Sequence, residues 1–412
     1  MHLLLIHQNF PGQFRDLAPA WLKAGHRVTS IGSELAPSNS DEWDGLEHFR
    51  YVLPDEDAPS PLQRGEAVAQ VCRGLQTNGF NPDVVMAHSG WGETLRLRHV
   101  WPSTPIVVLP ELWGSPQVLG FGFDADLPEK IPVPEVFDEN NRIAERAILD
   151  SDIALVPCRS QWRSFPLHLR ARLHLLPEGL DMECYSDPPR IPFECGDLRI
   201  APDSPIVTLV SRHLEPLRGL RQVCRAWSIV QEQRPDAALY LVGMEDSGGY
   251  GIEAPSGASH LADALASLDD AAKCSIHSLG VLPHHQMVKL LQSSSCHVAV
   301  SYPYTLSWSN LEALACGAPV VTNLGSPLSQ ELIDGISGLF CDFNDVRGLA
   351  EAILDCVNTP DLQQRLGKAG QMVAIERFSQ GVALDAHERL LEQLAKRDLK
   401  GQPADQRNTS VP

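Results

Sequence analysis

The alternation of short apolar runs with helical patterns along the chain predicts two parallel α/β sheets. In the first half, the apolar runs end in polar, glycine or proline residues and are separated by longer stretches of helical periodicity. The strands predicted there are Leu3–His7, Arg27–Ile31, Asp83–Ala87, Pro105–Leu109 and Ile153–Val156. The second half repeats the scheme at Pro205–Val210, Ala238–Val242, Ser275–Leu279, Val298–Ser301 and Pro319–Thr322. This alternation is typical of sheets covered by helices on both faces.

A proline-rich connection joins the two halves. Asp187–Pro192 and Pro202–Pro205 have the composition of an interdomain linker. We therefore expect one doubly wound domain over residues 1–190 and a second over residues 200–375. Two such domains that face each other leave a cleft lined by the carboxyl ends of both sheets, where ligands bind in folds of this class.

The end of the chain has a helical pattern followed by a polar tail. Leu362–Lys396 is helical in period, whereas residues 397–412 lack apolar periodicity. We expect the tail to be disordered, because it has too few apolar residues to form a core.

Charge and composition exclude several classes of function. The 412 residues, 43% of them hydrophobic, suffice for two or three folded domains. The net charge of −19 argues against broad contacts with nucleic acid or anionic lipid, because both need basic surfaces. Met1–Ile6 has the pattern of a first strand and not of a signal peptide, and no apolar run approaches the ~18 residues of a membrane span. A cytoplasmic location is therefore expected.

The ten cysteines predict neither a zinc site nor a disulfide framework. They are scattered from Cys72 to Cys356, and no pair has the two-residue spacing of zinc ligands. We expect most of them to be reduced thiols that pack as small apolar residues.

One segment combines a strand end, a polar loop and a helix start. Cys296–Val300 is apolar like a buried parallel strand, and Gly317–Pro319 ends the helix that follows it. Ser307 and Ser309 lie where that helix would be capped. A loop that opens a helix in this way directs backbone N–H groups and the positive end of the helix dipole at one point, which suits a diphosphate. Glu312, in the first turns, can reach the hydroxyl pair of a ribose.

This segment resembles the donor-binding signature of the retaining glycosyltransferases of family 4, which have the GT-B fold. The family pattern is Glu, seven residues, Glu, then Ala-(Met/Leu)-Ala-(Cys/Ser)-Gly-x-Pro-Val-(Val/Ile). Glu312 matches the second Glu, and Tyr304 stands where the first is expected. The stretch around Tyr304 is similar to a subgroup with Leu-Ser-Trp-Ser before the second Glu. The resemblance implies a donor site that includes Tyr304, Leu306, Ser307, Trp308, Ser309 and Glu312.

Two arginines match the cations by which the family grips the donor diphosphate. Arg212 matches the Arg of the family's Gly-Arg…Lys-Gly stretch, and Arg218, directly before Gly219, takes the place of the Lys. Two fixed cations at the carboxyl end of a strand suit a leaving group that gains negative charge as the glycosidic bond breaks. Gly243, after the next strand, is expected near the nucleotide.

The first half supplies candidates for the sugar and the acceptor. His88 resembles the family's histidine that contacts the transferring sugar, and Glu111, at the end of the next strand, can bind acceptor hydroxyls. Gly12 lies in the loop that the family places near the donor phosphates, and it permits a close approach of the backbone to a ligand.

Three further features predict no ligand. Asp55 with Asp57 and Asp124 with Asp126 fit the Asp-x-Asp pattern by which the other large glycosyltransferase fold holds a divalent metal, but both pairs lie in irregular segments and are expected to be solvated. His284 begins a helix after Pro283 and is expected to cap it at the surface.

The resemblance implies an α/β protein with the GT-B fold, whose last helix, over residues 376–396, crosses back to the N-terminal domain. It also implies a retaining hexosyltransferase that needs no metal or other cofactor, in which the departing diphosphate oxygen accepts the acceptor proton. UDP is the commonest nucleotide in the family, and the acceptor, which is a saccharide, a lipid-linked sugar or a small molecule, is selected by loops over residues 32–65 and 114–135.

Other classes of protein remain open at this point. Nucleotide-sugar 2-epimerases that do not hydrolyse their donor share the architecture, as do glycogen-phosphorylase-like enzymes, which need pyridoxal phosphate and a longer chain. Tyr304 in place of the first Glu also allows a catalytically weakened sugar-nucleotide-binding scaffold.

Overall fold

The protein is described here by a computed structural model that covers residues 1–34, 43–53, 59–127, 135–186, 193–196, 198–201, 204–246 and 249–398. These described residues form two compact units. The first unit is drawn from Met1–Gly114, Val133–Gly179 and Gln380–Pro412, and the second from Ser115–Pro132 and Leu180–Ser379. The expected linker at Asp187–Pro192 and the expected tail beyond residue 398 lie outside the described residues.

A parallel seven-stranded sheet forms the centre of the described part of the first unit. Its strands, in the spatial order β3-β2-β1-β4-β5-β6-β7, are β1 His2–Ile6, β2 Arg27–Ser33, β3 Leu46–Tyr51, β4 Val84–His88, β5 Ile106–Leu109, β6 Ile153–Val156 and β7 Leu173–Leu175. The sequence predicts five of these strands, which are β1, β2, β4, β5 and β6. They are apolar because both faces of a parallel sheet are buried, and the apolar runs made them recognisable. The two edge strands, β3 and β7, were not predicted: β3 exposes Glu47 and Arg50, and β7 is three residues long with only Leu173 buried.

The second unit contains a parallel six-stranded sheet and a small hairpin among its described residues. The hairpin pairs β8 Phe193–Cys195 with β9 Leu198–Ile200. The sheet, in the spatial order β12-β11-β10-β13-β14-β15, consists of β10 Ile206–His213, β11 Ala238–Met244, β12 Ile276–Ser278, β13 Cys296–Val298, β14 Val320–Asn323 and β15 Leu339–Cys341. β15, which is three residues long and lies at one edge of the sheet, was not predicted.

Helices follow the strands in both units. Those of the first unit are α1 Leu17–Lys23, α2 Pro61–Thr77, α3 Leu97–Val100, α4 Glu135–Asp150, α5 Arg159–Ser164 and α6 Leu167–Arg170. Those of the second unit are α7 Leu220–Gln233, α8 His260–Ala266, α9 Asp270–Cys274, α10 His284–Gln292, α11 Trp308–Ala315, α12 Val346–Asn358 and α13 Pro360–Phe378. None of the helices described is long and apolar enough to cross a membrane.

The segment of helical period over Leu362–Lys396 forms two helices, and the second begins four residues later than the expected last helix over residues 376–396. α13 ends at Phe378, Ser379 is extended with φ −67° and ψ 149°, and α14 Gln380–Asp398 follows. α14 belongs to the first unit, where Leu391 and Leu394 join the apolar core. The last helix therefore returns to the first unit, as the resemblance implies.

All ten cysteines are free thiols, and seven of them are buried. The expectation that most cysteines pack as small apolar residues is confirmed.

Candidate functional site

The loop before α11 is tied to the end of β10. Ser307 directly precedes the helix, as predicted, but its side chain makes no capping hydrogen bond. Its Oγ lies 2.8 Å from Oγ of Ser309, and Ser309 Oγ donates to the Val210 carbonyl oxygen at 2.8 Å. The expectation that both serines cap the helix is wrong, because their hydroxyls join the loop to the neighbouring strand. Leu306 is buried beside them, and Trp308 is the first residue of the helix.

Glu312 lies in the second turn of α11 and is held by two neighbouring side chains. Its Oε1 accepts a hydrogen bond from the Tyr185 hydroxyl at 2.9 Å and lies 3.0 Å from Nε2 of His284. The expectation that His284 caps α10 is wrong, because Pro283 is at the cap position and the His284 ring contacts the carboxylate instead. The Glu312 side chain is only 4% exposed, so the two neighbours fix the direction of a buried acceptor.

Each of the two candidate cations contacts a tyrosine. Arg212, at the carboxyl end of β10, donates from Nη1 to the Tyr250 hydroxyl at 2.8 Å, and its guanidinium carbon lies 5.9 Å from the ring centre. Arg218 lies 5.6 Å from the ring centre of Tyr304 and donates from Nη1 to the Thr305 carbonyl oxygen at 3.1 Å. The Tyr250 and Tyr304 rings are 5.8 Å apart. The structure thus brings Arg212, Arg218 and Tyr304 together.

Glu215 and Tyr250 belong to the same cluster, although the sequence did not single out Glu215. Oε2 of the buried Glu215 accepts hydrogen bonds from the backbone N–H groups of Tyr250 at 2.8 Å and Gly251 at 3.3 Å. Burial raises the pKa of this carboxyl above its usual range, against the opposing effect of the Tyr250 amide. Its position between the two arginines of one motif was the only sequence signal that pointed to it.

Gly243 permits a close approach of two strands. It has φ +154°, and a Cβ there would lie 2.5 Å from the Ser211 carbonyl oxygen. Its N–H donates to the Gly280 carbonyl oxygen at 2.9 Å. The requirement for glycine at this position therefore follows from the packing of β10 against β11, directly beside Arg212.

The Asp124 and Asp126 carboxylates are used in ion pairs. Asp124 is buried and accepts from Arg221 at 2.5 Å and from the Tyr302 hydroxyl at 2.6 Å, while Asp126 lies 2.6 Å from Arg225. The expectation of a solvated loop is wrong for Asp124, because the loop folds onto α7. No group of three or more His, Cys, Asp or Glu side chains that could hold a metal occurs in the described part of the chain, and Asp55 and Asp57 lie outside it.

His88 ends β4 in the first unit and is fully buried. Its Nδ1 accepts from the Gly90 N–H at 3.2 Å, so the proton of the neutral ring is on Nε2, which lies 3.5 Å from Oε2 of Glu111. Burial works against the charged form of both groups. Their mutual attraction nevertheless raises the pKa of His88 and lowers that of Glu111.

Glu111 has an unusual backbone conformation, with φ +55°. Non-glycine residues with positive φ are uncommon and cluster at functional sites. Gln13 donates to its Oε1, and Gln161 donates to its carbonyl oxygen at 3.0 Å. These contacts hold the carboxylate beside His88.

His7 and Glu178 complete the buried polar cluster of the first unit. The His7 and His88 rings are 4.7 Å apart, and burial, with His88 as the next contribution, lowers the pKa of His7 to about 3. Gly12 has φ +47°, and a Cβ there would lie 2.3 Å from the His7 ring, so the close approach it permits is to His7. Burial raises the pKa of Glu178 to about 7, with Glu111 adding to the effect.

Comparisons with known proteins cover most of the chain. A family model for the glycosyl transferase family 4 group matches residues 26–185, and one for glycosyl transferases group 1 matches residues 197–373. The alpha-maltose-1-phosphate synthase of Mycolicibacterium smegmatis is 28% identical over 53% of this chain and 56% of its own length. The D-inositol 3-phosphate glycosyltransferase of Stackebrandtia nassauensis is 25% identical over 86% of this chain and 78% of its own. The chain spans about half the length of several curated relatives it matches.

Solved structures show the same fold. The sucrose-phosphate synthase from Thermosynechococcus elongatus superposes with a TM-score of 0.72 at 17% identity, over 96% of this chain and 100% of that one. The Anabaena protein HepE, solved in complex with UDP, superposes with a TM-score of 0.70 at 16% identity, over 95% of this chain and 99% of that one. With one model matched in each half and the GT-B fold in common with these structures, the chain belongs to glycosyltransferase family 4.

Proposed function

We propose that this protein transfers a hexose from a nucleotide-sugar donor to a hydroxyl acceptor with retention of anomeric configuration. The observation that carries the proposal is the cluster at the carboxyl end of the second sheet, where Arg212 and Arg218 each contact one of two neighbouring tyrosines. Arg218 donates to Thr305 of the loop that opens α11, and Arg212 follows Val210, to which Ser309 of the same loop donates. A diphosphate bound there meets two guanidinium groups, and Glu312 offers an oriented acceptor to a ribose.

The chemistry assigned to this cluster is stabilisation of a leaving group. As the bond between the sugar and the diphosphate breaks, negative charge grows on the departing oxygen, and Arg212 and Arg218 stabilise it through charge-assisted hydrogen bonds. The departing oxygen then takes the proton of the acceptor hydroxyl, and the hydroxyl oxygen forms the new glycosidic bond on the same face of the sugar. No protein base is required in this scheme, and His88 is assigned to contact with the transferred sugar.

The assay that tests the proposal is incubation of the full chain with UDP-, GDP- and ADP-sugars and a set of acceptors. The names of the relatives make sugar phosphates and D-inositol 3-phosphate the first acceptors to include. We expect release of a nucleoside diphosphate together with a new glycoside of unchanged anomeric configuration by NMR, with a UDP-sugar as the favoured donor. Epimerised free nucleotide-sugar would support an epimerase instead, and binding without turnover would support a scaffold.

Metal independence is part of the proposal, because the positive charge at the diphosphate comes from arginines. We expect transfer to persist in excess EDTA at more than half of the rate without chelator. Magnesium and manganese are added back as the control. Complete loss of activity that either ion restores would contradict a metal-free mechanism.

A further inference from the structure

The loop after β11 holds Arg212 through a residue that the donor-site pattern does not contain. Arg212 is an exposed side chain, and long exposed arginines lose much rotamer freedom when they bind an anion. The Tyr250 hydroxyl accepts from its Nη1 at 2.8 Å, and the guanidinium carbon lies beyond the hydroxyl end of the ring, 5.9 Å from the ring centre. Tyr250 therefore restricts the positions that this cation can adopt.

Tyr250 is itself fixed by the backbone of its loop. The N–H groups of Tyr250 and Gly251 both donate to Oε2 of Glu215, a buried carboxylate. Gly249 has φ +140°, and a Cβ there would lie 2.2 Å from the same oxygen, so only glycine lets the loop approach Glu215 this closely. The ring is also flanked by Tyr304 and by the edge of His213, each 5.8 Å away between ring centres.

The hydroxyl of Tyr250 has hydrogen-bonding capacity beyond its contact with Arg212. A tyrosine hydroxyl provides one donor and two acceptor lone pairs. Arg212 uses one lone pair, so the O–H proton can be donated to an anionic oxygen beside the guanidinium. Phosphate oxygens accept such bonds readily.

We propose that Tyr250 is a positioning residue for the donor diphosphate, whose hydroxyl both orients Arg212 and donates a hydrogen bond to the same diphosphate. The inference rests on the proposed function, which places a nucleoside diphosphate at Arg212 and Arg218. It adds a residue that the family pattern does not name, and it assigns to Glu215 the anchoring of the Tyr250 loop.

The test is a comparison of the parent with Tyr250→Phe, which removes the hydroxyl and keeps the ring. UDP, GDP and ADP are first titrated into the parent by calorimetry, and the one that binds is then compared with its own nucleoside by NMR titration. We expect Tyr250→Phe to weaken binding of the nucleoside diphosphate roughly tenfold, as for the loss of one hydrogen bond to a charged group, and to leave nucleoside affinity unchanged. The matched control is Tyr240→Phe, which removes a hydroxyl from β11 outside this cluster.

The outcomes separate this inference from the proposed function. Equal affinity of the parent and Tyr250→Phe for the nucleoside diphosphate would overturn the inference alone, as would an equal loss for diphosphate and nucleoside. A parent that binds none of the three nucleoside diphosphates would overturn both. A higher KM for the donor in Tyr250→Phe, with the acceptor KM unchanged, would give independent kinetic support.

Discussion

Single residues at this site are oriented by partners that are distant in the sequence. Glu312 contacts Tyr185, which is 127 positions away, and His284, which begins a different helix. His88 contacts Glu111 across two neighbouring strands of the other sheet. At the scale of the residue, the direction of each of these side chains is therefore set by the polar neighbours that it contacts.

The role of Glu312 can be tested by removing its charge. Glu312→Gln should weaken binding of the nucleoside diphosphate by about 1.5–3 kcal/mol, because a charged acceptor for the ribose hydroxyls is replaced by a neutral one. His285→Gln, on the neighbouring residue of α10, serves as the control and should bind normally. Calorimetry measures both affinities, and an unchanged value for Glu312→Gln would remove Glu312 from the nucleotide site.

The half-buried carboxyl of Glu178 predicts a pH-dependent effect on stability. Between its usual pKa near 4.5 and its raised value of about 7, the unfolded chain releases a proton that the folded protein retains, so this group destabilises the fold increasingly as pH rises through that window. Glu178→Gln should therefore raise the unfolding temperature at pH 8, by roughly 2–4 °C for each kcal/mol relieved, and change it little at pH 4.5. The groups that act on it are Glu111 and His88. Thermal melts at the two pH values measure the difference, and a larger gain at pH 4.5 would contradict the assignment.

The residues that the sequence could bring to one site are those inside local motifs. Arg212, Arg218 and Tyr304 were expected there from their resemblance to the family motifs, and the structure brings them together, while their roles stay predictions. Glu215, which holds the Tyr250 loop, and Tyr185, which contacts Glu312, were missed, because the contacts that place them depend on tertiary packing and leave no periodic signal in the sequence.

The strands that the sequence predicted are mainly those whose burial requires apolar residues. β1, β4 and β10 are almost wholly buried and read as continuous apolar runs, whereas β3 carries alternating exposed side chains and was missed. The break between α13 and α14, which the resemblance placed at residue 376, occurs at Ser379, and no proline marks it in the sequence.

Packing of α13 against the end of α11 gives a prediction at this scale. A Cβ on Gly367 would lie 2.2 Å from the Gly317 carbonyl oxygen, whereas a Cβ on Gly381, in α14, meets no atom within 4 Å. Gly367→Ala should destabilise the protein by about 1–3 kcal/mol through this clash. Gly381→Ala should stabilise it by about 0.5–1 kcal/mol through helix propensity. Urea denaturation of the two variants compares them directly, and equal effects would show that α13 does not pack as described.

At the scale of the whole molecule, the two units do not simply follow the order of the chain, because segments that are distant in the sequence belong to the same unit. Residues 115–127 belong to the second unit, although the sequence analysis placed them in the N-terminal domain. Asp124 pairs with Arg221, and Phe121 packs with Tyr302 and Phe343 in one apolar cluster. The sequence could not indicate this grouping, because an Asp-x-Asp pair in an irregular segment looks the same whether it is solvated or paired.

The net charge of the whole protein, −19, affects where an anionic donor can bind. An anionic donor is repelled by the protein as a whole, so binding depends on the few places where arginines are fixed near one another. Among the residues described, Arg212 and Arg218 with their tyrosines form such a place at the carboxyl end of a parallel sheet. The proposed donor site therefore depends on these two arginines.

The most direct test is the turnover of Arg212→Ala with the donor and acceptor that the parent uses. Arg199→Ala is the matched control, because Arg199 is an exposed arginine of the same unit that pairs with exposed Glu194, and such surface pairs contribute little. We predict that kcat falls by roughly 10²–10³ in Arg212→Ala, the typical cost of losing one group that stabilises developing charge, while Arg199→Ala and the folding of both variants stay normal. Near-normal turnover of Arg212→Ala would contradict the assignment of the diphosphate site on which the proposed transfer rests.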